Sequence, residues 1–126
     1  MPVLCENLGF TRSHAIALDV TEFGKGKACA KLLEDANIIC NKNMLPSDTS
    51  SVNPSGLRLG TQEMTRLGMK ENEMDEVADF IARVVVKKED PAKVKKEVTE
   101  FKHGFDTIQY CFNAGEPAYE YRKLVP

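Results

Sequence analysis

The chain has 126 residues, 42% of them apolar and 29% charged, with a formal charge of -2; this is the balance of a globular domain able to bury roughly two thirds of its unfolded surface. That composition excludes a disordered chain, and lysines interleaved with glutamates exclude the basic stripe that a nucleic-acid partner requires. The longest apolar run, residues 80–86, is broken by Arg83 and falls well short of the ~20 residues of a membrane span, and the first residues lack the basic start and apolar block of a leader, so the expectation is a cytoplasmic protein with no membrane partner.

Residues 13–20, SHAIALDV, alternate Ile16, Leu18 and Val20 with Ala15, Ala17 and Asp19, the period-two pattern of a half-buried strand. After Gly24 and Gly26, Cys29, Leu32, Leu33 and Ala36 recur at helical spacing, and the apolar NIIC at 37–40 predicts a second strand. Residues 41–54, rich in Asn, Ser, Asp and Pro, have the chemistry of a long ordered loop, and loops of that length are often functional. GLRLG at 56–60 predicts a third short strand. Thr61 stands where a cap for a helical turn through QEMTRL would be, and Gly68 where it would end. Met74, Val77, Ala78, Ile81 and Val85 form an amphipathic stripe with Glu71 and Glu73 at the positive end of the helix dipole. Asp90 and Pro91 open another helix, with Val94, Val98, Phe101 and Phe105 as its apolar side. Residues 113–126 carry too few apolar positions to assign. With no internal repeat and no low-complexity linker, residues 1–126 read as one domain.

Four cysteines, at 5, 29, 40 and 111, form no C-x-x-C pair and have only two histidines beside them, so metal and redox sites fail on spacing and all four are expected to be reduced thiols. FGKGKA at 23–28 lacks the G-x-x-x-x-G-K-[ST] spacing of a phosphate loop and reads as a simple loop-to-helix transition. His14 has no carboxylate or cysteine at a recognisable spacing and reads as a structural, hydrogen-bonded histidine; His103 reads as a cation near a helix end. Arg58 is different. It interrupts a short apolar strand, its neighbours Leu57 and Leu59 belong to the opposite face, and Gly56 and Gly60 flank it with room to spare. A guanidinium is a planar fork that matches a carboxylate in two parallel bonds. On the residues alone, an anion clamp and a solvent-facing arginine both stay open, and Lys42 and Asn43 read as ordinary loop residues.

Taken together and in this order, SHAIALDV, ANIICNKNMLP and SGLRLGTQEMTRLGM closely resemble the C-terminal small domain of serine hydroxymethyltransferase. That family uses pyridoxal phosphate and a tetrahydropterin one-carbon carrier to interconvert serine and glycine. The resemblance is close over residues 12 to 85 and looser beyond. It implies an α+β two-layer domain of the fold type I pyridoxal-phosphate enzymes, with a short, mainly antiparallel sheet covered by helices on one face. It also implies that Arg58 clamps the substrate carboxylate and that Asn43, both donor and acceptor, contacts the pterin.

The family attaches its cofactor to a lysine in a threonine-rich, histidine-preceded motif of a large domain, and no such segment stands in these residues. The resemblance therefore implies no catalytic residue in this chain, a large domain as partner and a homodimer in the full-length form, with the isolated piece inactive. GTQEMTRLGM, without the proline that many members place after GT, is similar to the archaeal branch, which leaves folate and methanopterin both open as carriers. Two other readings stand beside this one: a standalone module that binds amino acids and regulates a partner, and the small domain of another pyridoxal-phosphate transferase.

Overall fold

In the computed structural model, which describes residues 1–112 and 115–119, three short antiparallel strands form a sheet with helices against one side. β1 (Ala15–Asp19), β2 (Asn41–Asn43) and β3 (Gly56–Gly60) lie in the order β1-β3-β2, so the segment that carries Arg58 is the middle strand. This is the two-layer α+β arrangement expected from the sequence. Register places Leu57 opposite Leu18 and Leu59 opposite Ile16. Residues directly opposite share a face, so these four make one apolar side. The helix α1 (Lys25–Asp35) lies against β2 and β3, and α3 (Glu71–Val85) and α4 (Pro91–His103) pack on α1 and on each other. Val20, Leu33, Leu57, Val85 and Val94 are fully buried in the resulting core, each contributing about 1.5–3 kcal/mol by leaving water.

The second strand is displaced from its predicted position. NIIC at 37–40 is not a strand, because its first residues close α1: Asn37 takes φ 63, its N–H donates to the Glu34 carbonyl at 2.9 Å, and the Ile38 N–H donates to Leu33 at 2.8 Å. That is a helix stop with an asparagine in the left-handed position. Pairing starts only at Asn41, so Lys42 and Asn43 belong to a strand and not to the loop.

The stripe of α3 is also rotated from the predicted one. Phe80, Ile81, Val84 and Val85 are its buried residues, Val77 packs against the core, and Ala78 is exposed. In α4 the expected cap is present, with the Asp90 carboxylate accepting from Ala92 N at 3.0 Å. Phe105 lies beyond the end of α4 and meets Phe101 ring to ring at 5.3 Å. Arg83, near the C-terminus of α3, clasps Glu89 at 2.8 Å and Glu97 of α4 at 2.7 Å, tying the two helices together.

The short helix α2 (Gln62–Arg66) ends at Gly68, φ 89, as the sequence indicates. Thr61 holds its N-cap position without capping it: the hydroxyl donates to the His14 carbonyl at 3.3 Å instead. Of the tail left unassigned from sequence, residues 115–119 fold back along 106–108, with Ile108 N donating to Glu116 O at 2.9 Å; residues 113, 114 and 120–126 lie outside the described residues.

Candidate functional site

The side of the sheet turned away from the helices is polar. Arg58 lies opposite Ala17 on β1 and Asn41 on β2, and Asp19 and Asn43 lie opposite Gly56. Strand alternation therefore puts Ala15, Ala17, Asp19, Asn41, Asn43 and Arg58 on one face. Arg58 is exposed and, among the described residues, enters no ion pair; its Nη2 donates to Asn41 Oδ1 over a long 3.4 Å. The acid on this face is committed elsewhere. Asp19 accepts from the Thr21 hydroxyl at 2.6 Å and the Thr21 N–H at 2.9 Å, and these bonds hold its carboxyl below the usual range. An arginine flanked by a methyl group and a neutral amide keeps its charge uncompensated at short range.

The glycines beside Arg58 do not leave the open space expected from sequence. A Cβ on Gly56 would run into the Leu45 side chain and the Asn43 carbonyl oxygen, and one on Gly60 would come within 2.6 Å of the Gln62 side-chain oxygen. Gly56 is thus a close-approach position, where the loop leaving β2 crosses β3 and buries Leu45.

That loop, residues 44–55, is fixed by a carboxylate that sequence reasoning passed over. Asp48 Oδ2 accepts from Leu45 N and from Ser55 N, both at 2.8 Å, joining the start of the loop to its end. The same bonds hold the Asp48 carboxyl below its ordinary range. Lys42 adds a tie by donating to the Val52 carbonyl at 3.1 Å. Asn43, half-buried, donates one amide hydrogen to the Met44 carbonyl at 2.8 Å. Its other amide hydrogen and its Oδ1 make no bond among the described residues. Asn41 was also passed over, because it gains its relation to Arg58 only through the β2–β3 register. The one signal in the sequence was the repeated asparagine around Lys42.

The first two amides of α1 are occupied, Lys25 N on Val20 O at 3.0 Å and Gly26 N on Pro54 O at 2.8 Å, so FGKGKA offers no anion cradle. His14 departs from the hydrogen-bonded structural histidine expected: it is exposed, its backbone carbonyl receives Thr61 N at 3.0 Å, and its imidazole makes no hydrogen bond among the described residues; His103 ends α4. All four cysteines are free; Cys29 is buried and Cys40 half-buried, and burial pushes the Cys40 thiol up to about 11. Among the described residues no group of acids, cysteines and histidines could hold a metal ion, and no helix is long and apolar enough to cross a membrane.

A family model described as serine hydroxymethyltransferase matches residues 8–81. Curated relatives of that name include one from Methanocella arvoryzae, 57% identical over 121 residues, and one from Methanopyrus kandleri, 51% identical over 124 residues. These alignments take in 94% and 97% of this chain but only 28% and 29% of the relatives, so the chain spans under a third of their length. A crystal structure of L-threonine transaldolase from Pseudomonas fluorescens superposes with a TM-score of 0.70 at 35% identity, over 82% of this chain and 23% of that one.

Proposed function

This chain belongs to the serine hydroxymethyltransferase family, and from that premise we propose that it is the C-terminal small domain of a cytoplasmic, homodimeric enzyme that interconverts serine and glycine with a tetrahydropterin carrier. Its part is to hold the substrate. Arg58 receives the substrate carboxylate in a two-bond clamp and Asn43 contacts the edge of the pterin. The observation that carries this reading is the placement of Arg58: exposed, central on the helix-free face, without an acid partner among the described residues. Folded domains usually pair a structural guanidinium, as this chain does with Arg66 and Arg83.

The residues of this face fit the acid group of an amino acid and not the attachment of pyridoxal phosphate. Among the described residues none of its strands places a lysine there, since Lys42 lies opposite Leu57 on the other side. The cofactor, when bound, supplies the electron sink for cleavage beside the amino group, and the lysine that holds it belongs to the large domain. What this chain does is geometric. Two parallel N–H bonds from one planar group fix the carboxylate in rotation as well as position, so the bond to be cleaved keeps one direction relative to the large domain; orientation of this kind is able to lower a barrier by several kcal/mol. Asn43 has a free amide hydrogen and a free carbonyl oxygen for a pterin edge that alternates acceptor and donor.

The likeness to threonine transaldolase at 35% identity favours one rival, another enzyme of the same fold that needs no pterin. An enzyme completed by joining this chain to the remaining part of the Methanocella arvoryzae relative separates the two. Serine cleavage that requires a tetrahydropterin, with Asn43→Ala raising the KM for that carrier and not for serine, supports the proposal. Cleavage indifferent to the carrier defeats it. Titration of glycine into the 126-residue chain alone addresses the regulatory-module reading, which expects a micromolar heat signal where the proposed domain gives none.

A further inference from the structure

We infer that Asn41 is a positioning residue for Arg58, holding the guanidinium ready for a carboxylate without neutralising it. The inference deepens the proposed function and rests on its assignment of Arg58 as the carboxylate clamp. Asn41 is the cross-strand neighbour of Arg58, and Ala17, its neighbour on the other side, is too short to reach it. The single side-chain bond that Arg58 makes among the described residues is the one from Nη2 to Asn41 Oδ1, at 3.4 Å. Arginine only donates, so the chemistry of the pair fixes the amide with its oxygen toward the guanidinium.

An exposed arginine on a strand has several soft torsions, and restricting them on ligand binding weakens affinity. A bond from one of the two Nη2 hydrogens to the adjacent strand restricts them beforehand and leaves the other Nη2 hydrogen, with a neighbouring nitrogen, as one two-bond edge for the ligand. The acceptor has to be neutral. A carboxylate at position 41 would form the two-bond pair itself and compete with the substrate, as Glu63 does for Arg66, with bonds of 2.9 and 2.7 Å. An amide oxygen gives direction at a fraction of that strength.

Nitrogen relaxation of the arginine Nε–Hε groups in the 126-residue chain tests this without reference to catalysis, with Arg12, exposed in the segment before β1, as the freely moving reference. Arg58 is expected to be more ordered than Arg12 in the parent and to fall to the level of Arg12 in Asn41→Ala, with an unchanged melting temperature. In the completed enzyme, Asn41→Ala is expected to raise the KM for serine roughly three- to tenfold while kcat stays within twofold, the size of one long, solvent-exposed hydrogen bond. Asn41→Asp is expected to raise KM further, an order that mere loss of a structural contact would not produce. Equal Arg58 mobility in parent and Asn41→Ala, with serine KM unchanged in both variants while Arg58→Lys has lost cleavage, overturns the role of Asn41 and leaves the clamp standing. If Arg58→Lys itself retains turnover, the clamp assignment falls and the positioning role with it.

Discussion

Strand β3 has two sides that obey different rules. Leu57 and Leu59 point toward the helices, where Leu57 is fully buried, and any apolar side chain of the right volume would serve there about as well. Arg58, between them, points the other way and has no acid partner among the described residues: a methyl group stands on one flank, an amide on the other, and the carboxylate of Asp19 is occupied by Thr21. The chain's other guanidiniums sharpen the contrast. Arg83 is clasped by two glutamates and joins α3 to α4, and Arg66 is held by Glu63 within α2. Arg12 also lacks an acid partner among the described residues, but it lies in an exposed segment outside the sheet, so placement and not lack of a partner singles out Arg58.

The largest effect is expected where that polar side is altered directly. Arg58→Lys keeps the charge and loses the fork, so kcat/KM for serine cleavage in the completed enzyme is expected to fall by roughly 100-fold or more, with the melting temperature unchanged. A protein that lost stability along with activity would erase the distinction between the two sides.

The opposite kind of change is Gly26→Ala. A Cβ there meets the backbone carbonyl oxygens of Gly56 and Pro54, which cannot swing aside. The expected cost is about 1–3 kcal/mol of stability, read as a fall of roughly 3–12 °C in Tm. Between these stands Asp48→Ala, which releases both ends of the 44–55 loop at Leu45 and Ser55. Faster amide exchange at those two residues and a several-fold higher KM for the pterin carrier are expected, with the KM for serine little changed.

The smallest effect belongs to Tyr119→Phe, at a tyrosine whose hydroxyl donates to Glu63 of α2. The Glu63 carboxyl is held down to about 2 by Arg66 first and by the Tyr119 hydroxyl second. A depressed carboxylate contributes stability that is complete above its unfolded value near 4.5 and is lost as pH falls toward 2. Removing the hydroxyl raises the folded value, so acid unfolding followed by circular dichroism is expected to begin at higher pH. At neutral pH the loss stays under about 1 kcal/mol, because the pair is partly solvated.

How legible each side was in the sequence follows from the same contrast. The apolar side announces itself by period, so β1, β3, α1 and α4 were readable, while the α+β class came through the family resemblance. α3 was readable as a helix but not in its facing, since Phe80 and Val84 satisfy the helical spacing as well as Met74 and Ala78 do, and only the packed neighbours decide. β2 was misplaced because its three residues are polar and the first of its apolar predecessors, Ile38, is spent on turning out of α1. Arg58 drew notice because a charge interrupts an apolar run, and Asn43 through family resemblance. Asn41 and Asp48 acquire their relations only through register and loop closure, and the clasp of Arg83 on Glu89 and Glu97 spans 6 and 14 residues of sequence. None of these leaves a local pattern.

The central claim, that the guanidinium of Arg58 stands open to take the acid group of an amino acid, meets its most direct test in a crystal structure of the completed enzyme with glycine bound. The account expects both carboxylate oxygens within hydrogen-bond distance of two nitrogens of Arg58. A carboxylate resting on another cation, with Arg58 still turned to water, would contradict it.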